Sequence, residues 1–177
     1  YMAKQVSKTY GSALFEVAKE KNALDTILEE VLFVKQTMLD NQDLNKLLLH
    51  PNIEKEEKIK VIENIYKGKI SDEITGLMTM LVDKGHVKDF IAVFDYVIHA
   101  IKEEKGIGIA YITSAVSLSD AQKNKIENKL VATTKYHKIE GIYQVDSGLI
   151  GGLVIRIADT VVDSSLRTQL EKLSKQL

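Results

Sequence analysis

The stretch over residues 146–173, DSGLIGGLVIRIADTVVDSSLRTQLEKL, decides the fold of the C-terminal part of the chain. The apolar run over residues 150–157 is rich in β-branched side chains and too short to span a bilayer, which predicts a buried strand. A turn then leads into a second short strand at residues 161–162. Asp163 or Ser164 caps a final helix. The apolar residues of this helix have helical spacing: Leu166, Leu170 and Leu173. A β-hairpin followed by a C-terminal helix is therefore predicted.

The preceding segment completes a small α/β domain. Alternating apolar residues predict strands at 107–112 and 139–145. Between them, Ser119 caps a helix that carries Ile126 and Leu130. We place the glycines of residues 148–152 inside the strand of the hairpin, where glycine often marks a bulge.

The spacing of apolar residues in the rest of the chain predicts helices and no strand. The fold class is thus α+β: an N-terminal six-helix bundle over residues 1–105, followed by a small α/β C-terminal domain over residues 106–177. Short connections between the helices indicate antiparallel neighbours. The predicted helices are 4–21, 22–39, 42–49, 54–66, 71–85 and 87–104.

Composition and motifs argue against several classes of function. The net charge is −1, there is no cysteine, and Arg156 and Arg167 are the only arginines, so nucleic-acid binding is not predicted. No apolar run approaches a membrane span, and we predict no signal peptide, because residues 2–20 follow a polar, helical pattern. The four histidines are far apart, and the glycines of residues 148–152 match neither a P-loop nor a dinucleotide motif. We predict no catalytic, cofactor-binding or metal-binding residues.

Two helices have unusually wide apolar faces. The apolar arcs of the first and fifth helices each cover roughly 200°, whereas a one-sided surface helix needs little more than 100°. Either both helices are buried on most sides, or they leave an apolar groove for another helix. Geometry alone favours burial.

Short motifs are spread along nearly the whole chain. In chain order they are TYGSALFEVAKE, LL–HPNI, LVDKGH, ITSA, LIGG, Arg156 and DSS followed by Arg167 and Leu170. In this order they resemble one family, the delta subunits of F-type ATP synthases, the bacterial counterparts of the mitochondrial oligomycin-sensitivity-conferring protein. The likeness is sharpest at the C-terminus, and two positions depart from the pattern: His86 stands where the family commonly has Arg, and Ser147 where it often has Pro.

This resemblance implies a non-catalytic stator subunit. Such a subunit links the catalytic head to the peripheral stalk, so that the head resists rotor torque during proton-driven ATP synthesis. The N-terminal bundle would receive the N-terminal helix of an alpha subunit in a groove between the first and fifth helices, and the C-terminal domain would meet the b subunits of the stalk. Membrane association would come only through the complex, at the cytoplasmic face of a bacterial cell membrane. The partner-binding residues implied are Tyr10, Ala13, Leu14, Val17, Leu77, Met78 and Leu81.

Three alternatives remain open from the residues alone. The chain could be a helix-binding adaptor of another complex with an α/β second domain. It could be an enzyme or a nucleotide-binding regulator that uses residues 148–152. RNA binding by the mildly basic C-terminal half is the third, although that half lacks clustered arginine.

Overall fold

The computed structural model describes residues 2–158 and 167–169. The chain divides into two compact units, Tyr1–Ile101 and Lys102–Leu177. Helices make up the first unit, and a four-stranded sheet with one helix makes up the described part of the second. This arrangement confirms the predicted α+β class.

The helices of the described chain follow the predicted order closely. Asn41 caps the third helix with its side chain, which accepts a hydrogen bond from the Leu44 amide at 3.1 Å. Gly68 and Gly85 follow the fourth and fifth helices with positive φ angles of 82° and 77°, a conformation that favours glycine. The helices are α1 (Met2–Glu20), α2 (Leu24–Asp40), α3 (Gln42–Leu49), α4 (Lys55–Tyr66), α5 (Asp72–Asp83) and α6 (Phe90–Glu104), with a 3-10 segment (Val87–Asp89) before α6.

The core of the first unit is built from helical faces with spacings of three and four residues. On α6, Phe94, Val97 and Ile101 are fully buried. They pack in one cluster with buried side chains of α2 and α5, among them Val31 and Ile74. Each helix thus buries one apolar face against the others, which is the usual source of helix stability in a protein of this size.

The second unit is a mixed sheet with the strand order β2-β1-β3-β4. Its first two strands are parallel, and α7 connects them. The other two neighbouring pairs are antiparallel. The elements are β1 (Ile107–Ser114), α7 (Asp120–Thr133), β2 (Lys138–Val145), β3 (Leu153–Ala158) and β4 (Arg167–Gln169).

Helix α7 covers one face of this sheet. Ile126 and Leu130 of α7 join a buried cluster with Ile112 and Ile155 of the two central strands. The predicted cap at Ser119 is present as a reciprocal capping box. The Ser119 hydroxyl accepts from the Gln122 amide at 3.2 Å, and the Gln122 side chain accepts from the Ser119 amide at 2.9 Å.

The C-terminal hairpin was predicted wrongly in two respects. Gly151 and Gly152 have φ angles of 64° and 79°, which a strand cannot adopt, so they lie in the loop before β3 and Ile150 is 96% exposed. Arg167–Gln169, assigned to the final helix, forms β4 instead. The free edge of β3 offers backbone donors and acceptors that a local helical pattern does not reveal. The predicted strand at 161–162, the helix cap, Leu166, Leu170 and Leu173 lie outside the described residues.

Candidate partner-binding groove

Helices α1 and α5 pack side by side and run antiparallel. At one end Lys21, just past α1, forms an ion pair with Glu73 in the first turn of α5. At the other end the Tyr10 ring lies 5.8 Å from the ring of His86, which follows α5, at an interplanar angle of 55°. These two contacts fix which sides of the helices face each other. We call the surface between them the α1/α5 groove.

The ion pair at one end of the groove shifts the pKa values of both its members. The hydrogen bond from Lys21 lowers the pKa of Glu73, and the same hydrogen bond with Glu73 raises the pKa of Lys21. Both charged groups are accessible to solvent, so the pair orients the helix ends more than it stabilises the fold.

A buried carboxylate lies at the other end of the groove. The Asp89 side chain is buried, and its Oδ2 lies 3.6 Å from His86 Nδ1. The contact holds the imidazole against the Tyr10 ring. The sequence analysis gave His86 no role, because this position departs from the pattern of the family that the motifs resemble. The packing of the 3-10 segment against α1 cannot be read from the sequence pattern.

The seven residues predicted to bind a partner fall into two groups. Leu14 and Leu77 retain 4% and 8% of their surface, and Met78 and Leu81 retain none, so these four belong to the core. On α1, Tyr10 and Val17 are half-buried and Ala13 is exposed. The three residues of α1 form an accessible wall of the groove, and the leucines lie beneath it.

The opposite wall comes from two residues of α5 that the predicted set omits. Met80 is 49% exposed and lies seven residues after Glu73, on the same side of the helix. Gly76 is also exposed, one turn before Met80. The wide apolar arc of the fifth helix already included Met80, but periodicity could not separate it from the buried Met78.

The second unit exposes a different apolar surface. Strand β2 is an edge strand, and its Ile142 and Val145 are 50% and 55% exposed. Val116 and Ile150, in the loops that follow β1 and β2, are 69% and 96% exposed. The described part of this unit therefore exposes apolar side chains on its edge strand and in two loops, a feature that interaction surfaces share.

Arg156 lies on the sheet face opposite α7. Its guanidinium carbon stands 4.8 Å from the centre of the Tyr111 ring, a cation–π distance. Within the described part of the chain, its buried Nε has no hydrogen-bond partner. The same part of the chain contains no helix suited to crossing a membrane and no group of three metal-ligating side chains.

The fold and the groove define an α+β protein of two units, whose helical unit presents a narrow apolar surface between two helices. A model of the ATP synthase delta (OSCP) subunit family matches residues 6–177. The chain belongs to this family, which confirms the resemblance drawn from its motifs.

Relatives of similar length support the same assignment. ATP synthase subunit delta of Lachnoclostridium phytofermentans is 50% identical over 176 residues, covering 99% of this chain and 97% of that protein. The subunit of Brevibacillus brevis is 29% identical over 99% of both chains. A chain of the mitochondrial ATP synthase hexamer of Toxoplasma gondii shares the fold, with a TM-score of 0.70 over 95% of this chain and 89% of that one, at 17% identity.

Proposed function

We propose that the protein is the non-catalytic stator subunit that joins the catalytic head of an F-type ATP synthase to its peripheral stalk. The observation that carries this proposal is the 50% identity, along 99% of the chain, to a protein named ATP synthase subunit delta. A stator must stop the head from turning with the rotor, so it needs two stiff attachments rather than a reactive site.

The first attachment in this proposal is the α1/α5 groove. The six helices of the first unit act as a bundle that receives the N-terminal helix of an alpha subunit. The accessible wall of Tyr10, Ala13 and Val17 and the exposed Met80 support it, since an amphipathic helix binds through apolar contacts spaced three and four residues apart. Leu14, Leu77, Met78 and Leu81 support the groove from beneath and keep its walls in place.

The second attachment is the α/β unit, which binds the b subunits of the stalk. The exposed apolar residues of β2 and the neighbouring loops, Ile142, Val145, Val116 and Ile150, support this assignment. In this proposal the protein associates with the membrane only through its complex, at the cytoplasmic face of a bacterial membrane. Its own chain catalyses no reaction.

Titration calorimetry tests the first attachment. The full chain is titrated with a peptide of about 20 residues from the N-terminus of the matching alpha subunit, long enough for several helical turns. We expect one-to-one binding with a negative heat-capacity change, the mark of buried apolar surface. Val17→Glu, which places a charge on the wall of the groove, weakens this binding.

A matched control separates the groove from general surface effects. Leu32 is 42% exposed on α2, outside the groove, so Leu32→Glu makes the same kind of change elsewhere and leaves the affinity unaltered. Equal losses in the two variants, or no binding by the unmodified chain, would remove the groove from the proposed function.

A further inference from the structure

We draw no further inference here: the strongest candidate, the face of the sheet opposite α7, where the Arg156 guanidinium lies over the Tyr111 ring and its buried Nε has no hydrogen-bond partner within the described chain, carries none because nothing in the structure shows what covers that face.

Discussion

Helix α1 contacts α6 on one side and α5 on the other, and the two contacts differ in how completely they are closed. Against α6, Gly11 is buried beneath the Tyr96 ring, which is itself only 9% exposed. Against α5, Ala13, Gly76 and Met80 remain open to solvent. The closed contact buries its surface within the fold, whereas the open one leaves apolar surface exposed to solvent, although each contains a helical glycine.

The largest effect expected concerns Leu14, which lies beneath the open contact. Because Leu14 is 4% exposed, Leu14→Ala should lower the free energy of unfolding by about 2–5 kcal/mol through lost burial and a residual cavity. Urea denaturation followed by circular dichroism measures this change. The neighbouring Ala13 is exposed, and Ala13→Ser should change the stability by less than about 0.5 kcal/mol. Similar values for the two variants would mean that Leu14 is a groove residue and not part of the core.

The next effect tests the closed contact. Gly11→Ala should lower the free energy of unfolding by about 1–3 kcal/mol, because the new Cβ would lie 2.6 Å from Tyr96 Cδ1 and the ring must move. A double-mutant cycle with Tyr96→Ala identifies the cause. Removing the ring should relieve the penalty of the added methyl group, which gives a coupling free energy beyond experimental error. Additive losses would show that the two residues do not depend on each other.

The difference between the two contacts of α1 could be predicted from the sequence only in part. Wide apolar arcs singled out α1 and α5 from the other helices, and the order of the helices followed from capping and spacing. Periodicity cannot decide which side of a wide arc stays exposed, since Met78 and Met80 both fall inside it and only tertiary packing separates the buried from the exposed side chain. The burial of Leu14 and Leu81 depends on the same tertiary packing.

The C-terminal unit shows a second limit, which concerns strand pairing. Leu166, Leu170 and Leu173 have helical spacing, yet Arg167–Gln169 pairs with β3. That pairing uses the edge of β3 that β1 leaves free, which the helical spacing of the leucines does not reveal. Capping is a local interaction, so a few residues were enough to predict Ser119 as the cap of α7. Its reciprocal partner in the capping box, Gln122, was not predicted.

The next effect, smaller than the two losses of stability above, concerns binding at the open contact. Met80 is half-exposed in the free protein, so Met80→Ser should leave the unfolding free energy within about 0.5 kcal/mol. Loss of the apolar contact should lower the affinity for the alpha-subunit peptide about fivefold, as measured by calorimetry. Leu49 is 55% exposed on α3, and Leu49→Ser is the matched control that should bind normally. A large loss of stability in Met80→Ser would instead assign Met80 to the fold.

The smallest effect concerns the ion pair at the end of the open contact. Lys21 lowers the pKa of Glu73 below its ordinary value of 4.5, so the folded protein binds this proton less readily than the unfolded chain does. The contribution of Glu73 to stability is therefore complete above pH 4.5 and disappears as the pH falls through the lowered pKa. Glu73→Gln removes this dependence, and urea midpoints measured from neutral to acidic pH should converge with those of the unmodified chain at low pH.

Glu56 provides the control for this last comparison, because its carboxylate lies in the first turn of α4, as that of Glu73 lies in the first turn of α5. Both acids interact favourably with the positive end of a helix, but only Glu73 has Lys21 beside it. Glu56→Gln should therefore show a flatter difference across the same pH range. The Glu73 effect should also shrink at high salt, since an exposed pair is screened. Equal pH profiles for the two variants would assign the effect to the helix end and leave no role for the contact between α1 and α5.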